Sequence, residues 1–451
     1  MSFNFNGSFY EGEFLSTMYK NAVFAYRIFV PVCPMEDYSY ALSVNHDGLI
    51  EAEAYALQTL AGTGETPYTV CIGVSPASLP SPTEKGHSRY LRMNTYDVFS
   101  EKYPSFIVDE LIPYLTEKYS LNLSASPDMH MVSGGSSGGV SAWNMAWHRN
   151  DYFRRVYMSS PSFLSMGRGD EHLNLMRKCE TKPIRVFVDY SENEPDSYFG
   201  SSFCVAEESI RALRYAGYDM MCDYHPGEGH CSRLWQYESA IMRMSFLWKN
   251  WQSEPVTVKA HSERVARVVD TDSIWEMYSG DMPGTCYTGG YLYSANEIFY
   301  GGIPVLGGFE SVSGVVLSCD KWRLYIGDSR RGVVYAATIT DEGCLDGLYI
   351  HGALHHKTDF RMPGAFTMCN DSEDRLYVAT ETGIQCIRSF GLIDVILENP
   401  FGNIPDSLAI GEDSYLYAKC GDTIYRRPLR NKQPPLKDGI TAPAQREYYD
   451  E

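Results

Sequence analysis

The segment Val132-Ser-Gly-Gly-Ser-Ser-Gly-Gly-Val140 constrains this chain more than any other. Before it, residues 129–132 (Met-His-Met-Val) read as a short buried strand, and after it residues 140–148 (Val-Ser-Ala-Trp-Asn-Met-Ala-Trp-His) carry apolar side chains at helical spacing. The glycines between them allow a sharp turn in which neighbouring backbones pass very close. A strand, a tight turn and a helix in that order are the local signature of a parallel sheet covered by helices. Within the turn, the pattern G-x-S-x-G fits two registers, centred on Ser136 or on Ser137. The Ser137 register is preferred because Gly138 and Gly139 then follow it. Gly138 N–H would be aimed at a developing oxyanion, and Gly139 would let the helix pack tightly.

Further along the chain come an acid and a base, in the order Ser, acid, His. Residues 183–189 form a β-branched run of strand type that opens into Ser191-Glu-Asn-Glu-Pro-Asp196, a turn holding three carboxylates, Glu192, Glu194 and Asp196. A helical segment at 204–218 and a short strand then lead to the loop His225-Pro-Gly-Glu-Gly-His230. A histidine in a Gly-containing loop can lie over a turn of this kind and act as general base, with a carboxylate fixing its tautomer. His230 is that histidine.

With these residues in view, positions 18–251 resemble the esterase D and enterochelin esterase group of α/β-hydrolases, which also includes acetyl-xylan and feruloyl esterases. The resemblance runs through Asn45-His-Asp-Gly48 after residues 41–44, the turn 134–139, Asn193-Glu-Pro-Asp196, Ala216-Gly-Tyr-Asp219 and Gly227-Glu-Gly-His230. It implies that the acid is Glu194, at the place where relatives carry Asp after Asn, with Glu192 and Asp196 as rivals. It also implies a second oxyanion donor, the backbone N–H of Gly48 or Leu49. The expected activity is hydrolysis of a carbohydrate-linked ester of acetyl or feruloyl type, through an acyl-enzyme on Ser137 and without cofactor or metal; the alternatives are a catalytically inactive two-domain binding or scaffold protein and, after it, a metal-dependent lactonase. Tyr198, Phe199 and Trp235 follow these segments and are candidate substrate contacts.

Composition bounds the partners. A formal net charge of -19 over 451 residues disfavours nucleic acid. No apolar run approaches the roughly 20 residues that span a bilayer. The N-terminal sequence has neither the basic flank nor the apolar core of a signal peptide. The 12 cysteines are scattered singly and read as reduced thiols, so a cytoplasmic location is expected.

The second half changes character. Past a linker-like stretch at 252–264, helical periodicity gives way to short strands separated by Gly, Asp and Asn. An echo recurs at Glu297-Ile-Phe-Tyr300, Arg323-Leu-Tyr-Ile-Gly-Asp328, Arg375-Leu-Tyr-Val378 and Tyr415-Leu-Tyr-Ala418, as in the blades of a propeller. Residues 265–427 resemble the gluconolactonase and regucalcin propellers, whose axial metal is held by Glu, Asn and Asp. The corresponding positions here are Thr288-Gly-Gly290, Ser313 and Phe366, which implies a lost metal site. The expected architecture is an α/β-hydrolase three-layer domain (1–251), a linker (252–264), an all-β, partial propeller-like domain of some four blades (265–429) and a flexible tail (430–451). An architectural role, including a homodimer contact, is expected of the all-β part.

Overall fold

The computed structural model describes residues 3–83, 85–283, 287–340, 343–358 and 366–431. The chain divides into two compact units. The first runs to Arg177 and resumes over Thr181–Ala260, and the second comprises Lys178–Glu180 and the chain from His261 onward.

The first unit is built on a sheet of ten strands: β1 (Gly7–Leu15), β2 (Val23–Pro31), β3 (Ala41–His46), β4 (Thr69–Val74), β5 (Ser78–Leu79), β6 (Arg89–Tyr90), β7 (His130–Gly135), β8 (Arg155–Ser159), β9 (Arg185–Asn193) and, after a small hairpin of β10 (Asp196–Ser197) and β11 (Gly200–Ser201), β12 (Asp219–Gly229). Six strands run parallel in the order β12-β9-β8-β7-β3-β4, and β2 and β1 extend the β4 edge antiparallel. The helices are α1 (Glu51–Thr63), α2 (Arg92–Tyr96), α3 (Lys102–Ser105), α4 (Ile112–Tyr119), α5 (Ser137–His148), α6 (Glu171–Lys178), α7 (Ser202–Ala216) and α8 (Tyr237–Leu247).

Strands β3, β4, β7 and β8 are buried along their whole length, as parallel strands covered on both faces must be. On one face Phe29, Ala41, Cys71, Met131, Tyr157 and Phe187 join a core with α1 and α8. Their neighbours Val132 and Val156 are buried as well, and α5 packs on β7 and β8. This is the three-layer α/β-hydrolase arrangement. Among the described residues, no helix is long and apolar enough to cross a membrane.

The division at Ala260 and His261 falls inside the stretch read as a linker. Its first part is fastened to the first unit. Val256 is buried, its N–H donates to Asp128 (2.6 Å), and its carbonyl accepts from Arg154 (3.4 Å).

The second unit opens with α9 (Glu263–Val268), capped by the Ser262 side chain, and continues as an all-β domain. Its strands are β13 (Glu276–Tyr278), β14 (Tyr291–Tyr293), β15 (Glu297–Tyr300), β16 (Ile303–Gly307), β17 (Val312–Leu317), β18 (Arg323–Asp328), β19 (Val333–Ile339), β20 (Leu345–Ala353), β21 (Met368–Asn370), β22 (Leu376–Thr380), β23 (Gly383–Ile387), β24 (Ile393–Leu397), β25 (Ser407–Ile410), β26 (Tyr415–Cys420) and β27 (Thr423–Pro428). They form four antiparallel sheets, β14-β15-β16, β17-β18-β19-β20, β21-β22-β23-β24 and β13-β27-β26-β25. The opening strands touch in succession, β14 on β17, β17 on β21 and β21 on β25. The four sequence echoes fall on β15, β18, β22 and β26. Three of them share a physical cause: Leu324, Leu376 and Leu416 are fully buried, and the next residue, Tyr325, Tyr377 or Tyr417, donates its hydroxyl to Asp374, Asp371 or Asp413.

Two of the positions compared with propeller metal ligands are engaged in other contacts. The Ser313 hydroxyl donates to the Gly327 carbonyl (3.2 Å), and the buried Phe366 ring stacks on His356 with centroids 5.8 Å apart. Beyond Asn431 the tail expected to be flexible lies outside the described residues.

Candidate active site

Strand β7 ends at Gly135 in the middle of the parallel sheet, and the chain turns into α5 through a single residue, Ser136. Its backbone sits at φ 58° and ψ -126°, a sparsely populated region that costs a non-glycine residue about 1–3 kcal/mol. The turn is held by Ser136 N–H donating to the Ser159 carbonyl (2.8 Å) and by the Ser136 carbonyl accepting from Gly139 (3.0 Å) and Val140 (3.2 Å). Gly134 is required by the close crossing of backbones, since a Cβ there would lie 2.4 Å from the Gly138 carbonyl oxygen.

The apex of the turn falls one residue before the serine preferred from sequence. The strained apex is Ser136, which is partly exposed, whereas Ser137 is the first helical residue, is buried, and directs its hydroxyl to Asp97. The residue after the apex is therefore Ser137. In a helix's first turn the backbone amides lack intrahelical acceptors. Of the two loop amides considered, Gly48 N–H is engaged by the Val74 carbonyl (3.2 Å). Leu49 crosses directly over Gly73, where a Cβ would lie 2.0 Å from its nitrogen.

The acid and the histidine meet through the sheet. The segment read as a loop at 225–229 is an irregular extension of β12, and its register shift sets Gly229 opposite Asn193. The next residue on each strand is then His230 and Glu194, and His230 Nδ1 hydrogen-bonds the Glu194 carboxylate. The Glu194 side chain is wholly buried; it also accepts from Ser191 N–H (3.0 Å) and from Ser160. Burial opposes its charge, but the hydrogen bonds from His230 and Ser160 prevail and hold its pKa below the usual carboxylate value. Burial likewise opposes charge on His230, and the hydrogen bonds with Cys231 and Glu194 outweigh it, so its pKa is raised. The rival carboxylates lie elsewhere. Glu192 accepts from Gly227 N–H (2.7 Å), and Asp196 is exposed in the β10-β11 hairpin.

Serines after β8 join the two halves of the site. Ser162 Oγ lies 3.2 Å from Ser136 Oγ, and Ser160 Oγ accepts from Cys231 N–H (3.0 Å) as well as meeting Glu194. A Cβ on Gly135 would come within 3.0 Å of Cys231 Sγ, so the apex and the histidine loop are direct neighbours. Sequence reasoning missed Ser160 and Ser162, whose one signal is a serine cluster just past a strand. It also missed Arg92, which grips Asp47 beside the turn, and Asp97, a buried carboxylate that burial raises to about 6 against the pull of Ser137 and Arg92. Tyr198 and Trp235 are exposed, and the Phe199 ring lies tilted against Tyr198 with centroids 4.1 Å apart.

Among the described residues, no group of three or more His, Cys, Asp or Glu side chains is placed to hold a metal ion. The described cysteines are free thiols.

Residues 50–261 match the family described as "Putative esterase". With that match, the first unit is a carboxylic ester hydrolase domain. Among solved structures, a ferulic acid esterase aligns at 18% identity with a TM-score of 0.40, covering 55% of this chain and 99% of that one. The enterobactin esterase FES from Shigella flexneri aligns at 17% and 0.40, and this chain spans 59% of its length. An S-formylglutathione hydrolase from Agrobacterium tumefaciens aligns at 15% and 0.40, covering 57% and 99%. No curated protein matches by sequence.

Proposed function

We propose that the first unit is a serine esterase with Ser136 as nucleophile, His230 as general base and Glu194 as the acid that fixes the histidine. The observation that carries this reading is the strained Ser136 turn beside a histidine whose other face is held by a buried carboxylate. His230 takes the Ser136 proton as the hydroxyl attacks an ester carbonyl; Ser137 N–H and Leu49 N–H stabilise the oxyanion, and water then releases the acyl group. The proton accepted by His230 passes to the departing alcohol. A second proton, taken from the attacking water, returns to Ser136.

The substrate class is an acyl group on a sugar or a sugar-like alcohol, of acetyl or feruloyl type. Support comes from the sequence resemblance and from the exposed aromatic residues Tyr198 and Trp235, which suit stacking against flat or ring-shaped groups. The second unit is read as a four-bladed, propeller-like scaffold. Its support is the succession of opening strands and the pairing of β13 with β27, which joins the two ends of the unit in one sheet.

The test compares wild type, Ser136→Ala and Ser137→Ala on p-nitrophenyl acetate and on acetylated and feruloylated sugars, with a fluorophosphonate probe of the active serine. The reading requires loss of hydrolysis and of labelling in Ser136→Ala alone, with Ser137→Ala retaining labelling and chelator leaving the wild-type rate intact. Labelling that persists in Ser136→Ala and vanishes in Ser137→Ala would restore the other register.

A further inference from the structure

Asp47 is an odd residue to find beside an oxyanion site. It follows β3, has its backbone in the left-handed region (φ 61°), and is exposed. Its carboxylate lies against the first turn of α5, where a Cβ on Gly138 would sit 3.1 Å from Oδ2. Gly138 is one residue from Ser137, whose N–H is the proposed oxyanion donor, and Gly48-Leu49, the source of the second donor, follow Asp47 directly. The open N–H groups and dipole of a helix N-terminus favour negative charge. An uncompensated carboxylate at that spot would occupy this field and repel the charge that develops on the substrate oxygen.

The structure supplies the compensation. Arg92, which opens α2, grips Asp47 in a two-point contact, Nε to Oδ1 at 2.9 Å and Nη2 to Oδ2 at 2.7 Å. The same helix holds the Asp47 backbone, whose N–H donates to the Tyr96 hydroxyl (3.3 Å), and the Arg92 guanidinium stands 5.5 Å from the centroid of the Tyr96 ring. Next in the chain, Asp97 accepts from the Ser137 hydroxyl. Residues 92–97 thus contact both the Asp47 loop and the start of α5.

We propose that Arg92 is a positioning residue for ester hydrolysis: it neutralises the Asp47 carboxylate and fixes the Asp47-Leu49 loop, so that the oxyanion forms in a site free of opposing charge. The inference rests on the serine esterase reading above. Arg92 touches no reacting atom; it acts through Asp47.

The experiment is a double-mutant cycle on the full chain, with p-nitrophenyl acetate as probe: wild type, R92Q, R92K, D47N and D47N/R92Q, with S136A alongside. R92Q is expected to lower kcat about 10- to 100-fold with KM within about threefold, because the lost interaction matters most in the charged transition state. R92K should recover part of the loss, since it restores charge without the two-point grip. In the D47N background no charge remains to be neutralised, and asparagine tolerates the left-handed backbone. Removing Arg92 there should cost no more than about threefold, and D47N/R92Q should exceed R92Q in kcat by about tenfold. The inference is overturned if R92Q stays within about twofold of wild type, or if losing Arg92 costs as much in the D47N background as in the wild type. Should R92Q fail to fold by circular dichroism, D47N against D47N/R92Q and R92K against wild type carry the same decision. Loss of hydrolysis in S136A leaves the esterase reading standing whatever Arg92 does, whereas full activity in S136A overturns both.

Discussion

Replacing Glu194 by Gln tests the acid-histidine pair most directly. The carboxylate is wholly buried and serves three donors, His230 Nδ1–H, Ser160 and Ser191 N–H. Glutamine keeps the shape but offers one acceptor oxygen and an NH2 group, so one of these donors must face a donor. If that is His230, the imidazole turns its unprotonated nitrogen towards residue 194 and its N–H towards Ser136, which removes the base. The expected loss in kcat is about 10³- to 10⁴-fold, equivalent to about 4–5.5 kcal/mol at 1.36 kcal/mol per decade. The pH profile gives a second readout. His230 must be neutral to accept a proton, and its pKa is raised above the ordinary 6.5, so the acid limb of kcat/KM in the wild type should lie above pH 6.5. Without the carboxylate that rise is lost, and the limb should move to lower pH. The assay is kcat/KM for p-nitrophenyl acetate from about pH 5 to 10, with Glu192→Gln and Asp196→Asn as controls expected to stay within about twofold of wild type. An unmoved acid limb together with a loss below about tenfold would refute the assignment of Glu194.

Other substitutions probe the framework. Gly134→Ala would drive a methyl group to 2.4 Å from the Gly138 carbonyl oxygen, backbone against backbone, and should cost about 3 kcal/mol in urea denaturation. Asp97 has its pKa raised from 3.8 to about 6, so the fold binds its proton more tightly than the unfolded chain does, and stability declines as pH rises from 3.8 through 6. Asp97→Asn should therefore match wild type near pH 4 and exceed it by about 2–3 kcal/mol at pH 7, as read by denaturation at the two pH values. In the second unit, Arg427 donates to both oxygens of Glu180 (2.9 and 2.7 Å) in a buried pair. Arg427→Met leaves that carboxylate unpaired and should cost about 3–5 kcal/mol, with much of it recovered in the Glu180→Gln/Arg427→Met double variant.

What the sequence disclosed follows from what side-chain pattern can encode. The strand before Ser136 and the helix after it were visible because their burial is written in apolar residues, and so were β18, β22 and β26 of the all-β sheets, where a buried Leu precedes a Tyr that reaches an Asp. The register of the turn was not. Adjacent serines flanked by paired glycines satisfy the same pattern twice, and the backbone angles mark Ser136 as the apex of the turn. The choice among Glu192, Glu194 and Asp196 was equally out of reach of composition, because it depends on the β12 irregularity that sets Gly229 beside Asn193. Arg92 and Asp47 are far apart in the chain, and their contact depends on how residues 92–97 lie against the end of β3.

The pairing of β13 with β27 has a consequence during synthesis. Tyr278 finds its partner in Ile424, so the sheet of β25 to β27 lacks its fourth strand until the start of the unit is brought back to the end. A ribosome releasing this chain exposes the whole first unit long before β27 emerges, and the hydrolase sheet is free to form while the second unit waits with an unpaired edge. A stop codon shortly before Thr423 would therefore leave that edge permanently open and invite pairing between nascent chains, with the candidate catalytic residues already in place.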